Sequence, residues 1–130
     1  MMKFGNEIHE YLEFLNFKNP NLEYIENDFI KQKIIKLLNN PLFKNIKEAT
    51  IYQEYEFIYT NDKNEYHGVI DLMLEYDNNI DIIDYKLKNI NDEAYIKQLK
   101  GYKKYIETKT TKPINLYLYS ILDEKIICID

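Results

Sequence analysis

Two aspartates interrupt two short apolar segments that follow each other closely in the chain. Asp71 lies within residues 69–73, and Asp84 lies within 82–85, with Lys86 two positions further on. The apolar and β-branched residues around the acids favour β-strands. An unpaired carboxylate inside such a strand costs a large amount of free energy. The two acids and the lysine therefore predict a metal site that acts on phosphate.

The loop between the two strands decides whether the acids meet. Side chains alternate between faces, so Asp84 and Lys86 share a face, about 6.6 Å apart along the strand. A four-residue loop over 76–79 places Asp71 opposite Asp84, with Cβ atoms about 5 Å apart, whereas another loop offsets the pair by two residues. A divalent cation would turn the repulsion of this pair into coordination. Oxygen ligands alone suit Mg²⁺ or Mn²⁺.

Each of these residues also has a purely structural explanation. The acids can be solvated at an exposed end of a sheet, and Asp84 with Lys86 can form a simple ion pair. Three such residues at this spacing favour the site. Gln98 and Tyr102 share a face of a predicted helix, and Gln98 on an apolar stripe needs a polar partner. His9 alone is more often a packed or surface histidine than a ligand.

Hydrophobic periodicity predicts one α+β domain over residues 1–130, with helices packed on a sheet. The predicted buried stripe of the second helix includes Phe29 and Ile34. Polar turns are expected over 60–65 and 77–79. The predicted helices cover 6–16, 22–38, a short turn over 41–46, and 91 or 92 to 107; the predicted strands cover 50–59, 66–76, 80–87, 114–120 and 124–129.

The composition limits cofactors and location. The single cysteine, Cys128, excludes a disulfide framework and a four-cysteine zinc or iron–sulfur site built within this chain. We expect Cys128 to be a small buried hydrophobe in the last strand. No apolar run approaches the ~20 residues of a membrane span, and the N-terminus lacks an apolar signal region. These features indicate a cytoplasmic protein with no membrane partner.

The charges limit how the chain would bind phosphate. All 17 basic residues are lysines, so phosphate contacts would come from lysines, hydroxyls, amides or backbone N–H groups. The net charge of −5 argues mildly against a passive nucleic-acid binder. It does not argue against a nuclease, because metal-binding carboxylates themselves lower the charge. Four helix lysines can bind a DNA backbone or simply form a solvated face: Lys97, Lys100, Lys103 and Lys104.

The motifs, taken in order, resemble a known family. Residues 68–71 read GVID, 84–86 read DYK and 98–102 read QLKGY. This order is similar to the RecB-type nuclease domain of the PD-(D/E)XK superfamily, above all the C-terminal nuclease domain of the AddA helicase–nuclease subunit. The resemblance covers about 5–107. The N-terminal GNEIHEYL is similar to that domain's glycine-to-histidine helix, and Glu54, with Glu56 as a competitor, falls at its Glu-x-x-Phe element.

The resemblance implies a restriction-endonuclease-like core, with a mixed β-sheet of about five strands flanked by helices. It also implies a Mg²⁺- or Mn²⁺-dependent deoxyribonuclease of exonuclease-like type, without an iron–sulfur cluster. Lys86 matches the catalytic lysine, and Gln98 and Tyr102 match a helix motif that supports the site and the DNA. The implied metal ligands are His9, Asp71, Asp84 and the carbonyl of Tyr85.

DNA is therefore the expected partner, in end processing or recombinational repair, and a helicase subunit or domain is a candidate second partner. The chain itself has no GxxxxGK[ST] phosphate loop. The alternative is a non-catalytic nucleic-acid-binding or assembly module that retains the nuclease fold. Exonuclease or endonuclease action, strand preference and oligomeric state are left open by the sequence.

Overall fold

Helices, a long hairpin, a third strand, a helix and two final strands follow one another along the chain. The computed structural model describes residues 2–61 and 63–129. None of the described helices is both long and apolar enough to cross a membrane. The elements are α1 (Met2–Phe14), α2 (Asp28–Leu38), 3₁₀ turns at Pro41–Phe43 and Ile46–Glu48, β1 (Thr50–Asn61), β2 (Asn64–Glu75), β3 (Ile80–Lys86), α3 (Glu93–Ile106), β4 (Ile114–Ser120) and β5 (Lys125–Ile129).

The five strands form one sheet in the order β1-β2-β3-β4-β5. β3 and β4 are parallel, whereas the other neighbours are antiparallel. A parallel pair needs a crossover connection, and α3 supplies it. The predicted α+β class with a mixed five-stranded sheet is confirmed, and the architecture is consistent with a restriction-endonuclease-like core.

The sheet is covered on both faces by apolar helix stripes. Ile8 and Leu12 of α1 pack with α2 against one face of the central strands. Leu99 and Ile106 of α3 pack against the other face. Asp92 starts α3, because its side chain accepts a hydrogen bond from the N–H of Ala94 at 2.8 Å. This N-cap places α3 where it can contact the end of β3.

The second helix begins six residues later than predicted. The side chain of Asn27 caps it by accepting a hydrogen bond from the N–H of Ile30 at 3.1 Å. The buried side of the helix therefore carries Ile30 and Ile34, whereas the predicted stripe carried Phe29 and Ile34. The prediction is therefore right for Ile34 and wrong for Phe29, whose side chain is 51% exposed.

Two further details differ from the sequence predictions. The β1–β2 ladder continues to the pair Asn61 and Asn64, so the predicted turn over 60–65 is too long; Asp62 lies outside the described residues. Cys128 lies in the last strand as predicted, but it is exposed. β5 is the edge strand, and Cys128 alternates with Ile127 and Ile129, which pack towards α3. The expectation that Cys128 is buried is therefore wrong.

The absence of a side chain at Gly68 makes room for an aromatic ring. Phe57 is its cross-strand partner, and a Cβ on Gly68 would lie 2.2 Å from the ring. The same ring stacks on Tyr105 of α3, with centroids 4.2 Å apart. The ring therefore cannot move aside without losing its contact with α3.

We predict that Gly68→Ala lowers the free energy of unfolding by about 1–3 kcal/mol, because it overpacks this contact. Gly101→Ala is the matched control. It lies on α3 with open space around its Cβ position, so it should raise the free energy of unfolding by about 0.5–1 kcal/mol through helix propensity. Urea denaturation measures both. Equal effects of the two variants would contradict the packing explanation.

Candidate active site

The turn between β2 and β3 sets the register of the two acids. The ladder runs from the four-residue loop over 76–79 to the pair Leu72 and Ile83. The next position in the same register brings Asp71 opposite Asp84. The predicted register is confirmed, and Asp84 is only 3% exposed. Solvation at an open sheet end is therefore excluded for Asp84.

Asp71 is the acceptor at the centre of the site. Its Oδ2 accepts a hydrogen bond from the backbone N–H of Tyr85 at 2.8 Å and lies 3.5 Å from Nε2 of His9. The carboxyls of Asp84 and Glu54 lie close enough to Asp71 to interact with it. Burial acts to raise the pKa of Asp71, but the bonds from His9, Asp84 and the Tyr85 N–H outweigh it and lower the pKa to about 2.

The pKa of Asp84 is shifted in the opposite direction to that of Asp71. Burial raises its pKa first, and the hydrogen bond and charge of Asp71 raise it further, to about 8. Lys86 opposes this shift, with Nζ 3.1 Å from Oδ2 of Asp84. The contact is not aligned as a hydrogen bond, so that oxygen lacks a hydrogen-bond partner in the described structure. The predicted pairing of Asp84 with Lys86 therefore lies within the predicted acidic site, and it is an ion pair when Asp84 is ionised.

Glu54 reaches Asp71 through an unusual backbone conformation. Its φ of 50° is left-handed, which is rare for a residue with a side chain and typical of functional sites. Side-chain alternation breaks here, so Tyr52 and Tyr55 lie on one face with ring centroids 5.8 Å apart. Burial and Asp71 raise the pKa of Glu54 to about 7. Glu56 is exposed, so only Glu54 belongs to the cluster.

His9 reaches the sheet because a polar side chain anchors α1. Nε2 of Gln53 donates hydrogen bonds to the carbonyls of Leu12 and Leu15, both at 2.8 Å. These are carbonyls that the end of the helix leaves without intrahelical partners. Gln53 directly precedes Glu54, so two adjacent residues of β1 position α1 and place a carboxyl beside Asp71.

The lysine is held from three sides. Its Nζ pairs with Asp84, donates to Oε1 of Gln98 at 3.1 Å, and lies 4.5 Å from the ring centroid of Tyr95. The polar partner predicted for Gln98 is therefore Lys86. Tyr102 is buried one turn further along α3, near the backbone of Val69 in β2. Burial and the nearby acids raise the pKa of Tyr102.

A second buried acid in β3 has a different environment. Asp81 is 6% exposed, and its Oδ1 accepts hydrogen bonds from the side-chain amides of Asn79 and Asn115, both at 3.0 Å. These bonds tie the β2–β3 turn to β4. Burial raises its pKa, although the two amides oppose the shift. Sequence reasoning missed Asp81, although apolar residues flank it on both sides, as they flank Asp84.

The donor atoms suit a hard divalent cation in type and charge. Carboxylate oxygens from Glu54, Asp71 and Asp84 converge with the His9 ring, and one oxygen of Asp84 has no hydrogen-bond partner among the described residues. Within this same part of the chain, no three such side chains are already arranged as metal ligands. A cation would therefore have to displace the proton of Asp84 and draw the oxygens together.

The fold and site define an α+β protein with a mixed five-stranded sheet and an acidic cluster beside a lysine. No family model matches the chain. It is 32% identical over 92 residues, 59% of the chain, to an ATP-dependent helicase/nuclease subunit of Clostridioides difficile. It is 34% identical over 93 residues, 65% of the chain, to the same subunit of Clostridium beijerinckii.

A third relative covers more of the chain. The corresponding ATP-dependent helicase/nuclease subunit of Staphylococcus epidermidis is 26% identical over 140 aligned positions, 88% of the chain. The chain spans only 7%, 8% and 11% of the lengths of the C. difficile, C. beijerinckii and S. epidermidis subunits. It is therefore similar to a small part of a helicase/nuclease subunit.

We predict that the metal-free protein loses stability as the pH rises from about 4 to 8. Asp84 has a pKa of about 8 in the folded protein and 3.8 as its reference value. Asp84 thus holds one more proton in the folded state over this range, and the free energy of unfolding falls as pH rises. Glu54, with its pKa raised from 4.5 to about 7, adds to the fall in the same direction. Asp71 acts oppositely, but its lowered pKa adds stability that is already complete above about pH 4.

Asp84→Asn should remove most of this loss and raise the free energy of unfolding at pH 8, at roughly 1 kcal/mol for each pKa unit relieved. Urea denaturation in chelator at pH 5 and pH 8 measures the difference. The exposed Asp77→Asn, in the β2–β3 turn, is the control and should behave as the wild type does. An unchanged pH dependence in Asp84→Asn would contradict the repulsion described here.

Proposed function

We propose that residues 1–130 form a single metal-dependent nuclease domain that hydrolyses phosphodiester bonds of DNA. The observation that carries the proposal is the pair Asp71 and Asp84, opposed on adjacent strands, with Lys86 on the face of Asp84. The similarity to a small part of helicase/nuclease subunits supports the same function. The proposed role of this nuclease is in DNA end processing or recombinational repair.

Asp71, Asp84, His9 and the Tyr85 carbonyl would hold Mg²⁺ or Mn²⁺, and Glu54 is added by its place beside Asp71. When bound, the ion would supply Lewis-acid stabilisation of phosphate charge and activation of water. Because the raised pKa of Asp84 favours its protonated form, binding of a cation to Asp84 would release a proton. No iron–sulfur cluster is part of the proposal.

Lys86 is suited to stabilise charge on a phosphate oxygen. Gln98 and the Tyr95 ring hold its ammonium group beside Asp84, so little side-chain entropy is left to lose when phosphate binds. Tyr102 is buried one turn further along the same helix, where it packs near Val69 of β2. We place Lys86 in contact with substrate and give Gln98 and Tyr102 positioning roles.

DNA is the proposed substrate. A helicase subunit or a helicase domain is the proposed partner, because the relatives are named as helicase/nuclease subunits. A cytoplasmic location stays a prediction.

We predict cleavage of labelled DNA in the presence of Mg²⁺ and its loss in chelator. Asp84→Asn and Lys86→Gln should each lower the rate at least about a hundredfold, because they remove a metal ligand or the charge-stabilising group. Asp81→Asn is the matched control: it changes a buried acid of the same strand, and its Oδ1 can still accept both amide bonds. Cleavage in chelator, or equal loss in the control, would rule out the mechanism.

One observation favours the alternative, a non-catalytic nucleic-acid-binding or assembly module. The described residues hold no preformed group of three metal ligands. Calorimetry with Mn²⁺ separates the two functions. The nuclease predicts binding with proton release that Asp71→Asn and Asp84→Asn abolish, whereas the module predicts no binding to the wild type.

A further inference from the structure

A groove of about 640 Å³ runs between α3 and the outer part of the β1–β2 hairpin. The hairpin supplies an aromatic wall, and α3 supplies a wall rich in lysine. Gln98 and Tyr102 also line the groove. Because Gln98 accepts a hydrogen bond from Lys86, the groove ends at a direct neighbour of the candidate active site.

The aromatic wall is braced from behind. Phe57 is fixed between Gly68 and Tyr105, and Tyr59 contacts Tyr105 edge to face, with centroids 6.2 Å apart. Tyr66 lies beside Tyr59 at a tilt of 30° and a centroid distance of 6.2 Å, and it is 49% exposed. The wall thus presents the partly exposed ring of Tyr66 on a support that is already packed.

The opposite wall carries unneutralised positive charge. Lys97, Lys100 and Lys104 are exposed at spacings of three and four residues, which places them on one side of α3. None of the three forms an ion pair within the described part of the chain. The described lining contains no carboxylate, although the chain as a whole has a net charge of −5. His67 of the hairpin wall is paired with Glu65 outside it.

The space between the walls is open at Gly101. A Cβ at this position would meet no heavy atom within 4 Å. The three lysines span seven residues of helix, about 10 Å, which is room for about three nucleotides.

We propose that this groove binds an unpaired segment of nucleic acid next to the phosphodiester bond that the site acts on. Bases stack on the Tyr59–Tyr66 wall, and the lysines contact the phosphates. A duplex buries its base faces in its own stack, so it cannot use the aromatic wall. That the bound strand is cleaved beside the groove depends on the nuclease function proposed above. The binding of the strand in the groove does not depend on it.

Fluorescence anisotropy in chelator measures the binding without cleavage, using a labelled single-stranded oligonucleotide. Tyr66→Ala should raise Kd about five- to a hundredfold, the usual effect of losing one stacked base. Tyr24→Ala is the matched control, because Tyr24 is 52% exposed and lines a separate pocket beside α1. An oligonucleotide with abasic sites should bind the wild type more weakly and be insensitive to Tyr66→Ala.

Two variants test the open space at Gly101 and the lysine wall. Gly101→Gln fills the open space and should weaken binding at least tenfold, while circular dichroism shows an intact fold. Lys100→Gln should reduce the slope of log K against log salt by about 0.7, the contribution of one single-strand phosphate contact. Lys47→Gln, on the 3₁₀ turn Ile46–Glu48, should leave the slope unchanged.

The outcomes separate the groove from the nuclease. Wild-type affinity in both Tyr66→Ala and Gly101→Gln, or equal affinity for duplex, abasic and normal single strands, overturns the groove. Preferential capture of an apolar peptide, with no oligonucleotide binding, overturns it as well. If the groove variants lose binding while the wild type cleaves nothing with Mg²⁺, the groove stands and the nuclease function fails.

Discussion

The carboxylate of Asp71 is the interaction on which the candidate site depends. It is one acceptor served by α1 through His9, by β1 through Glu54, and by β3 through Asp84 and the Tyr85 N–H. Three elements that are far apart in sequence therefore meet at a single negative charge. Burial and the charge of Asp71 together raise the pKa of the Glu54 and Asp84 carboxyls. Two buried acids face each other here, and Glu54 has a left-handed backbone conformation. Such departures from the usual preferences for charge and backbone are typical of functional sites.

Burial of an acid alone does not identify such a site. Asp81 and Asp84 lie three residues apart in one strand and are both buried, but two amides satisfy Asp81, whereas Asp84 faces another acid. The difference is in the partners. An acid with neutral donors stabilises the turn that it joins to the next strand. An acid opposed to an acid stores repulsion that only a proton or a cation relieves.

The turn over 77–79 was predictable from its polar residues, but the sequence left two loops open. The four-residue loop of the structure is the one that opposes Asp71 to Asp84. Gln98 was predictable as a polar residue on an apolar stripe. The conformation of Glu54 was not, since a glutamate has no intrinsic preference for left-handed φ and adopts it only under tertiary constraint. The burial of Phe29 was mispredicted because periodicity does not fix where a helix begins.

The anchoring of α1 by Gln53 has a consequence for the order of folding. The β1–β2 hairpin forms from contacts close in sequence, whereas α1 docks through contacts some forty residues apart, to Leu12 and Leu15. Local contacts close early and distant ones late. The acids of the sheet are thus expected to gather before the histidine arrives, and the acidic cluster gains its only imidazole within the described chain at the last step.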